Sequence, residues 1–325
     1  KHPEEARDSF GEDPFEVKNI LKYWVFSEKP EFHVIPTDTI NIHIDKDALL
    51  RSGIMLPKTI RHLKGEDLKD AIPDKLYIPL TDIRMLTKVD LLMLEMLANC
   101  NWERPLYLAI SVGSVSKLKF DNYFVQEGLA FRFTPFDYKK WGDVGENRLY
   151  AVDVERLYNN VMNRYKYGGL DTPGLYLDET TLRTCWYHRR LFAQLAKELI
   201  AQGDNERAKK VLAYAEQVIP GYNVPETHES GSYDIATAYA ALGEKTKAVT
   251  LAVHLIAEAE DYINWAFSLK GNRIEMVRND CIYKFWQWNQ YNELLKKIDG
   301  EKYKESNRRF EEKYALFAPT MNYKN

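Results

Sequence analysis

The chain has 325 residues, 45% of them hydrophobic and 29% charged, enough for two domains with their own cores and too apolar for a disordered chain. Its 45 lysines and arginines against 48 aspartates and glutamates leave a net charge of −3, and without a basic stripe this excludes nucleic acid as the expected partner. Three distant cysteines, Cys100, Cys185 and Cys281, form neither a metal spacing nor a disulfide framework. No run has the length of a transmembrane helix. The opening "KHPEEARD" has neither an initiator methionine nor a signal peptide, so the chain reads as a processed or excised piece of a longer protein.

Asp13-Pro14-Phe15-Glu16 predicts a helix start, with Asp13 as N-cap. Val17, Ile20, Leu21, Trp24 and Val25 form the apolar face of that helix, and Pro30 stops it. "FHVI" and "TINIHID" read as strands, the second alternating Ile40, Ile42 and Ile44 with Asn41, His43 and Asp45. A short helix around "KDALLRS" ends at Gly53, and "DKLYIPL" is a further strand in which Pro79 marks an edge. Thr87 and Asp90 cap 88–98, which is apolar nearly all round and predicts a buried helix. "RPLYLAIS" predicts a buried strand, and "NYFVQEGLAFRFTPF" two strands about Glu127-Gly128. Asp153 begins a helix with Val154, Leu157, Tyr158, Val161, Met162 and Tyr165 on one face, ended by Gly168-Gly169. Residues 10–166 thus read as an α+β domain, a mixed sheet with helices, and the Gly- and Pro-rich stretch 167–178 as a linker.

From 179 to 320 nearly everything reads helical. Leu195-Ala196, Gly203, Ala208, Ala215 and Pro220 fall where a tetratricopeptide-like hairpin needs small or turn residues, and Ile235-Ala236, Tyr239, Gly243 and Ala248 match them. Small residues let two helices approach, and glycine permits the tight turn. The interval from Gly203 to Gly243 exceeds the standard repeat of about 34 residues; the insertion "GYNVPETHES" accounts for the excess, and Ala252 marks the second repeat as degenerate. Helices over 262–290 and 290–317 complete or cap the array. The first helix of each hairpin would line a groove exposing Arg190, Lys197, Tyr233 and Thr237. That groove suits a peptide carboxylate, the alternative being an ordinary solvated face.

Other candidate chemistry is sparse. His43 and Asp45 share a strand face near His33, but two converging ligands make no metal site. "DKD" at 45–47 is a helix start, and no nucleotide, P-loop, nucleophile-elbow or zinc-protease motif occurs, so no metal or cofactor is expected. "FWQWNQY" could stack on sugars but better fits a buried helix. "SVGSVS" follows a strand at its carboxyl end, where Ser111, Gly113, Ser114 and Ser116 could turn N–H groups to an anion; a plain loop is the alternative. Trp102, Glu103, Arg104 and Pro105 stand at the amino end of the same strand and read as a structural corner, in which Glu103 and Arg104 need partners if buried.

"DPFEVKNIL" at 13–21 and "LTKVDLLMLEMLANCNWERPLYL" at 86–108, followed by the helical repeats, resemble one family. It is the domain of unknown function 2723 family of multi-pass membrane proteins similar to protein O-mannosyltransferases, glycosyltransferase family 117. The resemblance implies a membrane bundle followed by an extracytoplasmic, periplasmic region with an Asn-Trp-Glu-Arg-Pro-like stretch and tetratricopeptide-like repeats. Cys100 departs from the family's usual polar residue. In the family the catalytic acid and lipid-linked sugar site belong to the bundle, so the resemblance places no family catalytic residue on this chain. The implied role is non-catalytic docking of an acceptor protein or peptide beside the membrane-embedded part of the parent chain. The alternatives are a free-standing tetratricopeptide scaffold and a hydrolase using paired carboxylates.

Overall fold

The first helix begins at Val17, three residues later than its proline suggests. In the computed structural model, which describes residues 10, 13–30, 33–112, 118–145, 150–269 and 273–321, α1 spans Val17–Ile20 and continues as a wider turn over Leu21–Val25. Its capping position is Glu16, without a side-chain cap. Asp13, the expected cap, is drawn away by stronger partners. Its carboxylate accepts from Lys75 Nζ at 2.5 Å and Asn41 Nδ2 at 3.1 Å, and its carbonyl from Asn19 Nδ2 at 2.8 Å.

The chain divides into two compact units, Lys1–Arg156 and Leu157–Asn325. In the first, β1 (Thr39–His43) and β2 (Lys75–Pro79) pair antiparallel with Ile40 opposite Ile78 and Ile42 opposite Leu76. All four side chains are buried, and Asn41 between the two isoleucines is buried as well, its Nδ2 bonded to Asp13, so β1 departs from strict alternation. Residues 33–38 form no strand, against the reading of "FHVI": Pro36 offers no N–H, and the His33 ring is bonded to the Ser27 carbonyl at 2.7 Å. Asp45 caps α2 (Lys46–Arg51) by accepting from Ala48 N at 2.9 Å. Helix α3 covers Gly65–Ala71.

Helix α4, Lys88–Asn99, starts with a complete capping box between Thr87 and Asp90. It is not buried all round. Leu94, Leu97 and Ala98 enter the core, whereas Val89, Leu92 and Met96 are 45%, 61% and 49% exposed. Helix α1 and strand β1 pack against it, and its apolar periphery exceeds what that contact buries.

A four-stranded mixed sheet orders β3 (Tyr107–Ala109), β5 (Ala130–Phe133), β4 (Phe124–Gln126) and β6 (Ala151–Val152), with β6 parallel to β4. The hairpin about Glu127-Gly128 forms as read. Strand β3 is an exposed edge rather than a buried strand: among the described residues it pairs only with β5, and Tyr107 and Ala109 are exposed. Helix α5 begins at Val154 behind Asp153, runs to Asn159 and continues as a wider turn over Asn160–Arg164. It therefore ends before Gly168 and Gly169, which form a later turn.

Between α4 and β3 the backbone turns through two left-handed residues, Asn101 at φ +48° and Trp102 at φ +60°. A bulky residue there is costly and is held only by strong surroundings. Trp102 is buried; its Nε1 donates to the His43 carbonyl at 2.8 Å and its ring stacks on Phe133. Glu103 and Arg104 are exposed, Glu103 lying 3.9 Å from an equally exposed Arg51. Buried charge sits instead at Glu127 and Arg132, paired at 3.7 Å, with Arg156 at 3.4 Å from the same carboxylate and the Tyr107 hydroxyl donating to it at 2.8 Å.

The second unit is all helix: α6 (Glu179–Ala201), α7 (Asn205–Val218), α8 (Ser232–Ala241), α9 (Lys245–Ser268), the short α10 (Arg273–Met276), α11 (Arg278–Ile298) and α12 (Gly300–Met321). Successive helices pack as hairpins, α6 on α7, α8 on α9 and α11 on α12, with α8 also against α6. Ala196, Ala208, Ala236 and Ala248 are fully buried at the hairpin contacts. The two turns are built alike. Gly203 (φ +80°) and Gly243 (φ +77°) each let the next N–H reach back five residues, Asp204 to Leu199 and Glu244 to Tyr239, both at 2.9 Å. The Gly- and Pro-rich stretch after α5 is tied to this unit: Asn223 Nδ2 donates to the carbonyls of Leu170 and Thr172 at 2.7 and 2.6 Å.

Trp102→Ala is expected to cost the first unit about 3–5 kcal/mol, the range for truncating a buried tryptophan, read as a lowered midpoint in thermal or urea denaturation; an unchanged midpoint would refute the role of this corner.

Candidate functional site

The residues inserted between α7 and α8 are organised by one buried cation. Arg189 on α6 is 3% exposed and donates from Nη1 to the Pro225 carbonyl (2.8 Å) and Ser230 Oγ (3.0 Å). Its Nη2 donates to the carbonyls of Ile219 (3.1 Å) and Val224 (2.6 Å). Burial pulls the guanidinium down to about 10, so it stays charged at neutral pH. A buried charge must be fully hydrogen-bonded, and here backbone oxygens supply the bonds.

The end of the loop is equally constrained. Thr227 N donates to Ser230 Oγ at 3.0 Å and Ser230 N to Thr227 Oγ1 at 3.1 Å, closing a tight turn. Gly231, at φ +83°, lies so close to α6 that a Cβ would stand 2.7 Å from Arg190 Cγ. This turn carries His228 and Glu229 against α11. His228 Nδ1 is hydrogen-bonded to the Tyr291 hydroxyl at 2.9 Å, and Glu229 accepts from Gln287 Nε2 at 3.0 Å.

Aromatic rings gather around His228. Tyr233 of α8 stacks on it at 5.7 Å and 17°, while Trp286 and Tyr283 of α11 meet it edge-on at 5.5 and 6.1 Å. Tyr283 and Trp286, one helical turn apart, stack on each other at 5.5 Å and remain 45% and 48% exposed. Phe285, Trp288 and Tyr291 on the same helix are buried. "FWQWNQY" therefore divides: most of its rings are core, as read, and Trp286 is surface. Burial holds the imidazoles of His228 and His188 below their ordinary 6.5 and raises the Tyr291 phenol.

Of the groove residues read from the sequence, Tyr233 lies in this ring cluster. Arg190 stands beside Gly231 with its guanidinium 4.7 Å over Tyr187. Thr237, a turn beyond Tyr233, donates to the Asp234 carbonyl at 2.8 Å, and Lys197 is exposed further along α6. Sequence reasoning missed His228, Glu229 and Tyr283, and read Trp286 with its segment as buried. The signal for the last two was their three-residue spacing, out of phase with Cys281, Phe285 and Trp288.

In the first unit, Ser111 is exposed just after β3, and Gly113, Ser114 and Ser116 lie outside the described residues. Among the described residues no group of three His, Cys, Asp or Glu converges as a metal site, and no helix is long and apolar enough to cross a membrane. Burial raises all three cysteine thiols, which keeps them protonated. A cleft of about 690 Å³, which the sequence did not announce, opens between loops 33–38 and 80–86, with Asp38 and Arg84 among its polar walls.

Residues 5–155 match the family described as TMEM260-associated domain 2, a span that closely follows the first structural unit. No curated protein and no solved structure matches the chain.

Arg189→Met leaves the carbonyls of Ile219, Val224 and Pro225 without their donor. It is expected to destabilise the second unit by about 3–5 kcal/mol, the cost of breaking a buried charged network, and to abolish hydrogen-exchange protection at 221–231 first; uniform protection loss across α6 and α7 would contradict the anchoring role. Because both histidines have folded values depressed below 6.5, their contribution to stability is present above that pH and is lost as pH falls through it. Glu258, raised by burial, acts in the opposite sense at lower pH. The difference between the wild type and a His188→Gln/His228→Gln variant isolates the histidine term: the variant should lose less stability between pH 7 and 5 in urea titrations.

Proposed function

We propose that this chain is the extracytoplasmic, non-catalytic region of a membrane glycosyltransferase resembling protein O-mannosyltransferases, and that its helical unit docks acceptor polypeptide. The membrane context draws on the TMEM260-associated match of residues 5–155 and on the wider resemblance to glycosyltransferase family 117 and domain of unknown function 2723. The docking role is carried by one observation: Tyr233, Tyr283 and Trp286 form a half-open ring surface on the first helices of successive hairpins, joined through His228. Rings of this kind supply large contact area at low entropic cost and are common anchors for extended peptides. The tetratricopeptide-like arrangement of small residues and glycine turns suits the same task.

The first unit would face the membrane-embedded part of the parent chain. Its exposed stripe Val89, Leu92 and Met96 on α4 supports that contact, since apolar residues one turn apart on a helix surface suit a helical partner.

The test is kinetic and uses the parent protein. With Tyr283→Ala and Trp286→Ala combined, KM for the acceptor polypeptide should rise about three- to tenfold, the loss of roughly 0.7–1.4 kcal/mol of ring contact, while kcat holds. An unchanged KM would overturn the docking role.

A further inference from the structure

The ring cluster also has a charge preference. Tyr283 and Trp286 leave nearly half their surface open, and an aromatic face attracts positive charge through its quadrupole. The ionisable groups around the rings reinforce that attraction. Glu229 and Asp234 act electrostatically on His228, Glu229 and Glu258 on Tyr291, and Asp234 and Glu293 on Tyr233. Asp234 and Glu293 are exposed at the surface.

The nearby cations are engaged with acids or rings of the same region, Lys296 with Glu293 at 3.9 Å among them. Lys284 Nζ lies 3.9 Å from Glu229 and 5.9 Å over the Tyr262 ring, with its side chain 19% exposed. Arg190 rests on Tyr187. Burial keeps His228 neutral near pH 7, so it joins the cluster as a ring and not as a positive charge.

We propose that the Tyr283–Trp286 ledge, flanked by Tyr233, His228, Glu229, Asp234 and Glu293, is a receptor for a cationic side chain carried by an extended polypeptide, arginine above all. Arginine fits better than lysine because its guanidinium is flat, weakly hydrated and able to stack on a ring while its edge meets a carboxylate. A peptide carboxylate at the same rings would instead meet the field of those acids. The inference rests on the reading of this face as a polypeptide-docking surface, and names what it selects.

The experiment is calorimetric titration of the 325-residue chain with three capped pentapeptides: Gly-Arg-Gly-Arg-Gly, the same peptide with both arginines replaced by citrulline, and Gly-Glu-Gly-Glu-Gly. Citrulline keeps the shape of arginine and removes its charge. The arginine peptide should bind, the citrulline peptide about tenfold more weakly or worse, and the glutamate peptide not measurably. Trp286→Ala should weaken the arginine peptide about three- to tenfold, the range of an exposed cation–π contact and its packing. Asp234→Asn with Glu293→Gln should weaken it while leaving citrulline binding unchanged. Both sets of positions are exposed, and circular dichroism checks that the variants fold.

Equal binding of the arginine and citrulline peptides would overturn the cation receptor and leave the docking face standing. Undiminished arginine binding by Trp286→Ala would overturn the ledge as its location. If none of the three peptides bound, the receptor would be wrong, and the KM measurement in the parent protein would still decide separately on docking.

Discussion

The guanidinium of Arg189 is the interaction from which the helical unit's surface follows. It is buried, charged and bonded to oxygens of Ile219, Val224, Pro225 and Ser230. An unpaired charge in such a place would cost several kcal/mol. The cost is avoided only when the inserted loop wraps back to bring its carbonyls around α6. Once the loop is wrapped, the Thr227–Ser230 turn closes, Gly231 passes against Arg190, and His228 and Glu229 face α11. The ring cluster is thus a consequence of where one charge was buried.

The first unit has an analogous point of dependence with a different physics. Trp102 is held in a left-handed conformation that its side chain disfavours, and what holds it is burial, a hydrogen bond to His43 and stacking on Phe133. The strain sits where α4 must reverse into the edge strand β3. Beside it, the charges of Glu103 and Arg104 remain in solvent, while the buried ionic network of Glu127, Arg132 and Arg156 lies on the hairpin and the start of α5.

What could be read from the sequence was local. The Thr87–Asp90 capping box, the Asp45 cap, the hairpin about Glu127-Gly128 and the glycine turns at 203 and 243 each depend on a few neighbouring residues, and each forms. The α+β region followed by helical repeats is legible for the same reason. What could not be read depended on distant neighbours. Asp13 should cap α1 by its local pattern, but Lys75 and Asn41 outbid the helix for its carboxylate. The apolar character of α4 and β3 predicted burial, and the fold supplies too few neighbours to cover Val89, Leu92 or Tyr107. The ring cluster was half visible. Tyr233 could be placed on a groove-lining helix, but His228 and Glu229 lie in an aperiodic insertion whose path is set by an arginine on another helix.

The anchoring of that insertion by carbonyls has a consequence for how the surface can vary. Arg189 bonds mainly to backbone oxygens, which every residue type carries, so the cation's own grip does not depend on which side chains stand at 219, 224 and 225. The side chains that fasten the loop lie beside that grip: Asn223 ties it to the stretch before α6, Thr227 closes its turn, and His228 and Glu229 reach α11. Variation in what this face recognises falls instead to Tyr283 and Trp286 on α11, whose rings are half open, so the architecture separates the parts that hold from the parts that choose.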